Sequence, residues 1–176
     1  MTLYDIAKLF TEQLLDKSYL IKTGSQQILV KTFPKHFLHL TGMQRCMGIK
    51  IKSSEKFFYD CIHNKYSKQL KEYNYKNKSD KNMVDMKTRN FARIEESIKN
   101  ADLLYILDND NAANAVSVAF KVDKSDKYMT IVFKLEKGKD YFIPASIQID
   151  KSYEYSIIKT ATRSEKIISV ECIHNK

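Results

Sequence analysis

The sequence predicts an α+β protein in which N-terminal helices pack on a C-terminal antiparallel β-sheet. Apolar residues keep helical spacing in several stretches up to residue 107, and from Val116 onward the period changes to two. The period-two stretches are joined by segments short enough for hairpins, which makes the sheet antiparallel. Helices first and strands last is the α+β layout. At 176 residues the chain fits one domain with a sizeable core, so residues 1–176 are read as a single domain.

Residues 2–16 read as a helix: Thr2 and Asp5 form a capping-box start, and Leu3, Ile6, Ala7, Phe10 and Leu14 hold one face. Residues 19–33 carry Thr-Gly-Ser between apolar stretches and read as a hairpin. Pro34 then opens a short helix, where its missing N–H costs nothing. Phe33, Phe37 and Leu40 share its apolar face, His36 and His39 sit three apart on the flank, and Gly42 stops it. Ser53 and Ser54 cap a further helix striped by Phe57, Phe58, Cys61 and Ile62.

Residues 71–83, rich in Lys, Asn, Ser and Asp, read as a mobile basic loop. Tyr66, Tyr73 and Tyr75 are interleaved with lysines there, as stacking and phosphate contact require. A solvated linker with incidental tyrosines explains the same residues. Residues 88–107 read as the longest helix, striped by Phe91, Ile94, Ile98, Ala101 and Tyr105. Arg89 and Arg93 lie one turn apart near its start, with Glu96 close enough to pair with Arg93. The Asp-Asn-Asp-Asn at 108–111 is a turn and not a calcium loop, because Ala113 and Ala119 stand where glycine and glutamate are needed. Strands follow over Val116–Val118–Phe120–Val122, Met129–Ile131–Phe133–Leu135 and Ile143–Ile147–Ile149, with two more at 153–163 and 167–173 and turns at 123–127 and Gly138.

The composition, 43% hydrophobic and 29% charged, is that of a folded protein. No run approaches the roughly 20 apolar residues of a membrane span, and no secretion signal is expected from the N-terminus. Three cysteines, an odd and small number, point to a reducing cytoplasm. The net charge of +9 is unevenly placed. Residues 17–54 contain no acidic residue, but hold Lys17, Lys22, Lys31, Lys35, Arg45, Lys50 and Lys52. This excess surrounds the two closely spaced histidines and favours a polyanion, nucleic acid being the obvious one. Lys31, Lys35, Arg45, Lys50, Lys52, Tyr73 and Tyr75 are the candidate RNA contacts. A lysine-rich composition also produces such a balance with no ligand.

Histidine, with a reference pKa near ~6.5, can take or give a proton at neutral pH. On the rim of a core it also serves as a structural hydrogen-bonding group, and both roles stay open for His36 and His39. Cys-Ile-His-Asn-Lys occurs at 61–65 and again at 172–176. Cys61 and His63 are two apart on a helix and point to different sides, so no zinc site is expected and no metal or cofactor is assigned.

The order of these features resembles a phage-associated branch of the barnase–EndoU–colicin–RelE-like (BECR-fold) nucleases. Leu-Tyr-Asp-Ile-Ala-Lys stands near the start, and Phe-Phe-Tyr opens a later helix. His-Phe-Leu-His-Leu-Thr-Gly at 36–42 is the specific element. The resemblance spans Leu3 to about Ile168 and implies N-terminal helices on a four- or five-stranded antiparallel sheet. It implies RNA cleavage without a metal, by attack of the 2′-hydroxyl on the adjacent phosphate, in a family several of whose members are toxins.

That chemistry needs a base, an acid and cations for the phosphorane. The expected set is His39 as base or acid, His36 as its partner, Thr41 orienting the phosphate, and cations from Lys35, Arg89 and Arg163. Thr160 and Thr162 share a face of a late strand and join the set, with Thr160 the catalytic candidate. The implied substrate is tRNA or another structured RNA, with an antitoxin or immunity protein as a further partner and no membrane. A basic RNA- or protein-binding module on the same fold, without catalysis, is the competing reading.

Overall fold

The computed structural model describes residues 1–109, 112–121, 128–150 and 157–174. The turn at 110–111, the hairpin at 123–127 and the first part of the strand expected at 153–163 lie outside them.

Helix α1 (Leu3–Phe10) starts on the expected capping box: the Asp5 N–H donates to Thr2 Oγ1 at 3.2 Å, and the Thr2 N–H to the Asp5 carboxylate at 2.7 Å. It continues as one π-helical turn, Thr11–Leu15. Gln13 is buried in this wider turn, and its amide donates to the Ala92 carbonyl at 3.0 Å and accepts from the Glu95 N–H at 3.3 Å. Strands β1 (Lys17–Thr23) and β2 (Gln27–Val30) form the expected hairpin.

A 3₁₀ turn (Pro34–His36) leads into α2 (Phe37–Thr41), and a second (Met43–Arg45) into β3 (Cys46–Met47). Helix α3 (Ser54–Ile62) is capped by Ser53 Oγ, which accepts from the Lys56 N–H at 3.1 Å. A short strand β4 (Asn74–Tyr75) pairs with β3. Helix α4 (Lys78–Arg89) starts at Asn77, whose Oδ1 accepts from the Asp80 N–H at 2.8 Å.

The loop expected at 71–83 holds the end of a 3₁₀ turn, strand β4 and the first half of α4. Three further expectations are corrected. First, the helix expected at 88–107 does not exist as one element. Helix α4 ends at Arg89, a 3₁₀ turn takes Phe91–Arg93, α5 spans Ile94–Lys99, and Leu103–Asn109 is strand β5. Asn90 and Asn100 close the two helices, and the Leu-Leu-Tyr-Ile-Leu run that follows pairs on both edges, with β6 and β9. Second, Ile157–Thr160 is a 3₁₀ turn, so Thr160 and Thr162 lie on no strand; the last strand, β9, begins at Arg163 and runs to His174.

Third, the sheet is not a simple antiparallel one. With β6 (Ala112–Lys121), β7 (Tyr128–Leu135) and β8 (Phe142–Asp150), the strands close a barrel in the order β1-β2-β8-β7-β6-β5-β9. Long strand β9 causes the closure. Its first residues pair with β5 and its remainder with β1, so it carries the N-terminal hairpin onto the sheet. The other closing seam is narrow: β2 meets β8, in parallel, at Val30↔Phe142, with the Lys31 N–H donating to the Phe142 carbonyl at 2.9 Å.

The core runs from the barrel into the helices, and Phe10 is its aromatic node. Its ring centroid lies 5.3 Å from that of Phe37, 5.4 Å from Phe58 and 6.2 Å from Phe91, joining α1, α2, α3 and the turn before α5. Among the described residues no helix is long and apolar enough to cross a membrane. Replacing Phe10 by Ala leaves a cavity between these four elements. Urea denaturation followed by circular dichroism is expected to show a loss of roughly 3–5 kcal/mol, with a smaller loss for Phe10→Leu.

Candidate active site

The site is built around the stretch 33–42. Pro34 fixes a tight first turn in which the Phe33 N–H donates to His36 Nδ1 at 3.1 Å. That bond places the ring proton on Nε2, which is itself buried and has no partner among the described residues. Burial, with Lys35 close by, brings the His36 pKa down to about 4. His36 is therefore a neutral capping group that fixes where α2 begins. Phe37 and Leu40 of α2 enter the core, and His39 is left exposed. Thr41 is fully buried and its hydroxyl donates back to the carbonyls of Phe37 and Leu38, at 2.9 and 3.1 Å.

Gly42 ends α2 in the left-handed region, φ +77°, with its N–H on the His39 carbonyl at 3.2 Å. Helix α4 crosses beside it: a Cβ on Gly42 would lie 3.4 Å from Val84 Cγ2 and 3.5 Å from Lys87 Cδ. The next 3₁₀ turn swings Gln44 and Arg45 outward. The Arg45 guanidinium donates from Nη1 to Asp80 at 2.6 Å, and Asp80 is nearly buried at the start of α4. Two turns further along α4, Lys87 projects beside Gly42; burial lowers its ammonium pKa, and nearby Arg45 adds to this.

Strand β8 forms the far wall. Val132 pairs with Ser146 and Phe133 with Pro144, so Ala145 is the extra residue of a β-bulge. Pro144 has no N–H to give, which suits a strand edge. Beyond Phe142 this edge of β8 pairs with no strand among the described residues, and α2 and α4 pack beside it. Four consecutive residues, Ala145, Ser146, Ile147 and Gln148, line the cleft, which therefore meets β8 edge-on. His39, Gln44, Arg45, Met83, Met86 and Lys87 complete a cleft of about 440 Å³. It offers one titratable imidazole, two cations, amide and hydroxyl donors, and a strand edge. Such a set can hold a phosphate and exchange protons with it.

Of the residues chosen from sequence, the structure brings His39 and Arg45 into this cleft. His36 sits behind it and Thr41 faces inward. Arg89 is exposed at the end of α4, Thr160 lies in the 3₁₀ turn, and Arg163 opens β9 with its Nε 3.4 Å from Glu165. Among the described residues none of these three lines the cleft. Lys35 pairs with Glu136 at 2.9 Å, and Lys31 stands 5.1 Å over the Tyr141 ring. Lys50 and Lys52 are exposed between β3 and α3. Tyr66, Tyr73 and Tyr75 pack against the core; burial pushes the Tyr73 and Tyr75 phenols up to about 12.

Lys87, Gln44, Ser146 and Gln148 were missed. Lys87 falls on a helix whose start reads as loop, and Ser146 and Gln148 sit between the isoleucines that mark their strand. As for the Cys-Ile-His-Asn-Lys copies, Cys61 is buried, its thiol pushed up to about 12, while His63 is exposed. Among the described residues no three His, Cys, Asp or Glu side chains come together as a metal group.

A family model described as phage-Barnase-EndoU-ColicinE5/D-RelE like nuclease4 matches residues 2–170. The chain belongs to this family. The match takes in α1 through most of β9 and so the whole cleft, and the family is a phage-associated nuclease family. No curated protein and no solved structure matches the chain.

The buried neutral His36 makes stability depend on pH in a defined window. Its folded pKa, about 4, lies below the ordinary 6.5, so the unfolded chain binds the extra proton between those values. Stability is complete above about pH 6.5 and falls as pH drops toward 4, by on the order of 3 kcal/mol. Urea melts from pH 7 to 4 measure it. His36→Asn, whose amide oxygen can accept the Phe33 N–H, is expected to flatten the slope.

Proposed function

We propose that the chain is a metal-independent endoribonuclease centred on the cleft between α2, α4 and β8, cutting tRNA or another structured RNA. The observation that carries the reading is the meeting of His39, Arg45 and Lys87 in one cleft. His39 takes the proton of the 2′-hydroxyl, whose oxygen attacks the adjacent phosphorus. Arg45, held by Asp80, and Lys87 bind the non-bridging oxygens as charge grows on them. The 5′-oxygen leaves with a proton from Lys87, whose ammonium is already destabilised by burial. The products are a 2′,3′-cyclic phosphate and a 5′-hydroxyl. Gln44, Ser146 and Gln148 hydrogen-bond the ribose and the flanking nucleotide. His36 is a positioning residue, and Thr41, Arg89, Thr160 and Arg163 have no part in these steps. The same reading places the protein in the cytoplasm, in keeping with three cysteines free of disulfides.

The test is incubation with total tRNA and ribosomal RNA in excess EDTA. The wild type is expected to give discrete fragments ending in 2′,3′-cyclic phosphate. His39→Ala should lower the rate roughly 10²–10⁴-fold while binding RNA nearly as well. Lys87→Met should lower the turnover rate more than it raises KM. Intact RNA with salt-sensitive binding by all variants would replace this reading with a binding module.

A further inference from the structure

A second cleft, of about 290 Å³, lies between the β3–β4 ribbon and the segment that follows α3. Met47, Lys65, Tyr66, Lys68, Tyr73 and Asn74 line it, together with Glu72, whose carboxylate accepts from the Gln69 N–H at 2.6 Å. Both tyrosine rings are held in place from behind. Tyr66 packs against Phe57 with ring centroids 5.5 Å apart. The Tyr73 ring packs against the core with its hydroxyl buried. Fixed aromatic walls of this kind cost little side-chain entropy when a flat ligand stacks on them. Lys65 is held to Asp60 at 2.5 Å, whereas Lys68 is exposed and has no ion-pair partner among the described residues. The Asn74 side chain, also exposed, offers both a donor and an acceptor to a base edge.

The two clefts lie on successive residues of one segment. Gln44 and Arg45 line the first, Cys46 is buried, and Met47 lines the second. The clefts are therefore neighbours along the chain, and exposed Lys50 and Lys52 follow Met47 a few residues on.

We infer that the second cleft is a subsite for an unpaired RNA base flanking the cut phosphate, and that it sets base preference. The base stacks on Tyr66 and Tyr73 beside Met47, its edge is read by Asn74, and its phosphate meets Lys68. This subsite rests on the nuclease reading for its place beside a cut bond. An acidic peptide would use the lysines but neither the paired rings nor the amide.

The experiment titrates the full chain with uncleavable 2′-O-methyl tetranucleotides of each base, following backbone amide shifts and affinity by NMR. At least one tetranucleotide is expected to shift residues 47, 66–68 and 73–74, with one base preferred. Lys68→Glu should weaken binding about tenfold and reduce the salt slope by about one. Asn74→Ala should level the base preference. Both substitutions are at exposed positions outside the first cleft. Shifts confined to the first cleft, or affinities unchanged by both variants, would overturn the subsite. So would shifts at the second cleft with poly-glutamate and none with tetranucleotides, which would mark a protein-binding surface. Cleavage of RNA without binding at the second cleft removes the subsite alone. Binding there by a protein that cuts no RNA removes the nuclease reading and leaves the base site standing.

Discussion

The left-handed backbone at Gly42, where α4 packs beside the end of α2, is the constraint on which the candidate site depends. Space alone would tolerate a methyl group there, since its nearest neighbours would stand at ordinary contact distance. The backbone would not: at φ +77° a side chain meets the strain that glycine avoids. This one left-handed residue ends α2 after His39 has been presented and before Arg45 turns outward. Lys87 lies against the flank of the same turn. A helix one residue longer would carry the chain past α4 and separate the imidazole from both cations.

Two buried polar groups hold this arrangement without taking part in chemistry. His36 uses its one lone pair on the Phe33 N–H, and so fixes the start of α2. The Asp80 N–H donates to Asn77 Oδ1 in the first turn of α4, while its carboxylate accepts from the Arg45 guanidinium. The His36 bond is local and sets a turn, whereas the Asp80–Arg45 pair joins α4 to a turn 35 residues earlier in the chain. The cleft therefore keeps one face of Arg45 committed to the protein and leaves the remainder of its fork for a ligand.

Much of the fold was legible because its signals are local. The capping box at Thr2, the proline and glycine around α2, the serine cap of α3 and the period-two strands β6, β7 and β8 all declare themselves within a few residues. The errors share a cause. Helix α4 buries little apolar surface beyond Val84, so its sequence reads as loop, and the apolar run after Asn100 fits a helix stripe and a strand equally well. Barrel closure is a long-range pairing between β1 and β9, with partners such as Lys17 and His174, and no local pattern encodes it. The site divides the same way. His39 and Arg45 were visible in a basic, glycine-stopped stretch, while Lys87 and the edge of β8 join them only through the packing of α4.

The narrow seam between β2 and β8 has a consequence for the motions of this protein. A barrel held along most of its circumference by long ladders opens first where it is least stitched, and here that is beside Phe142. The cleft adjoins this weak line: β8 supplies one wall, and helices that follow β2 in the chain supply the other. A ligand lying across the cleft therefore acts as a suture between β8 and the helices that follow β2. The energy of its binding is added to the local stability of the seam.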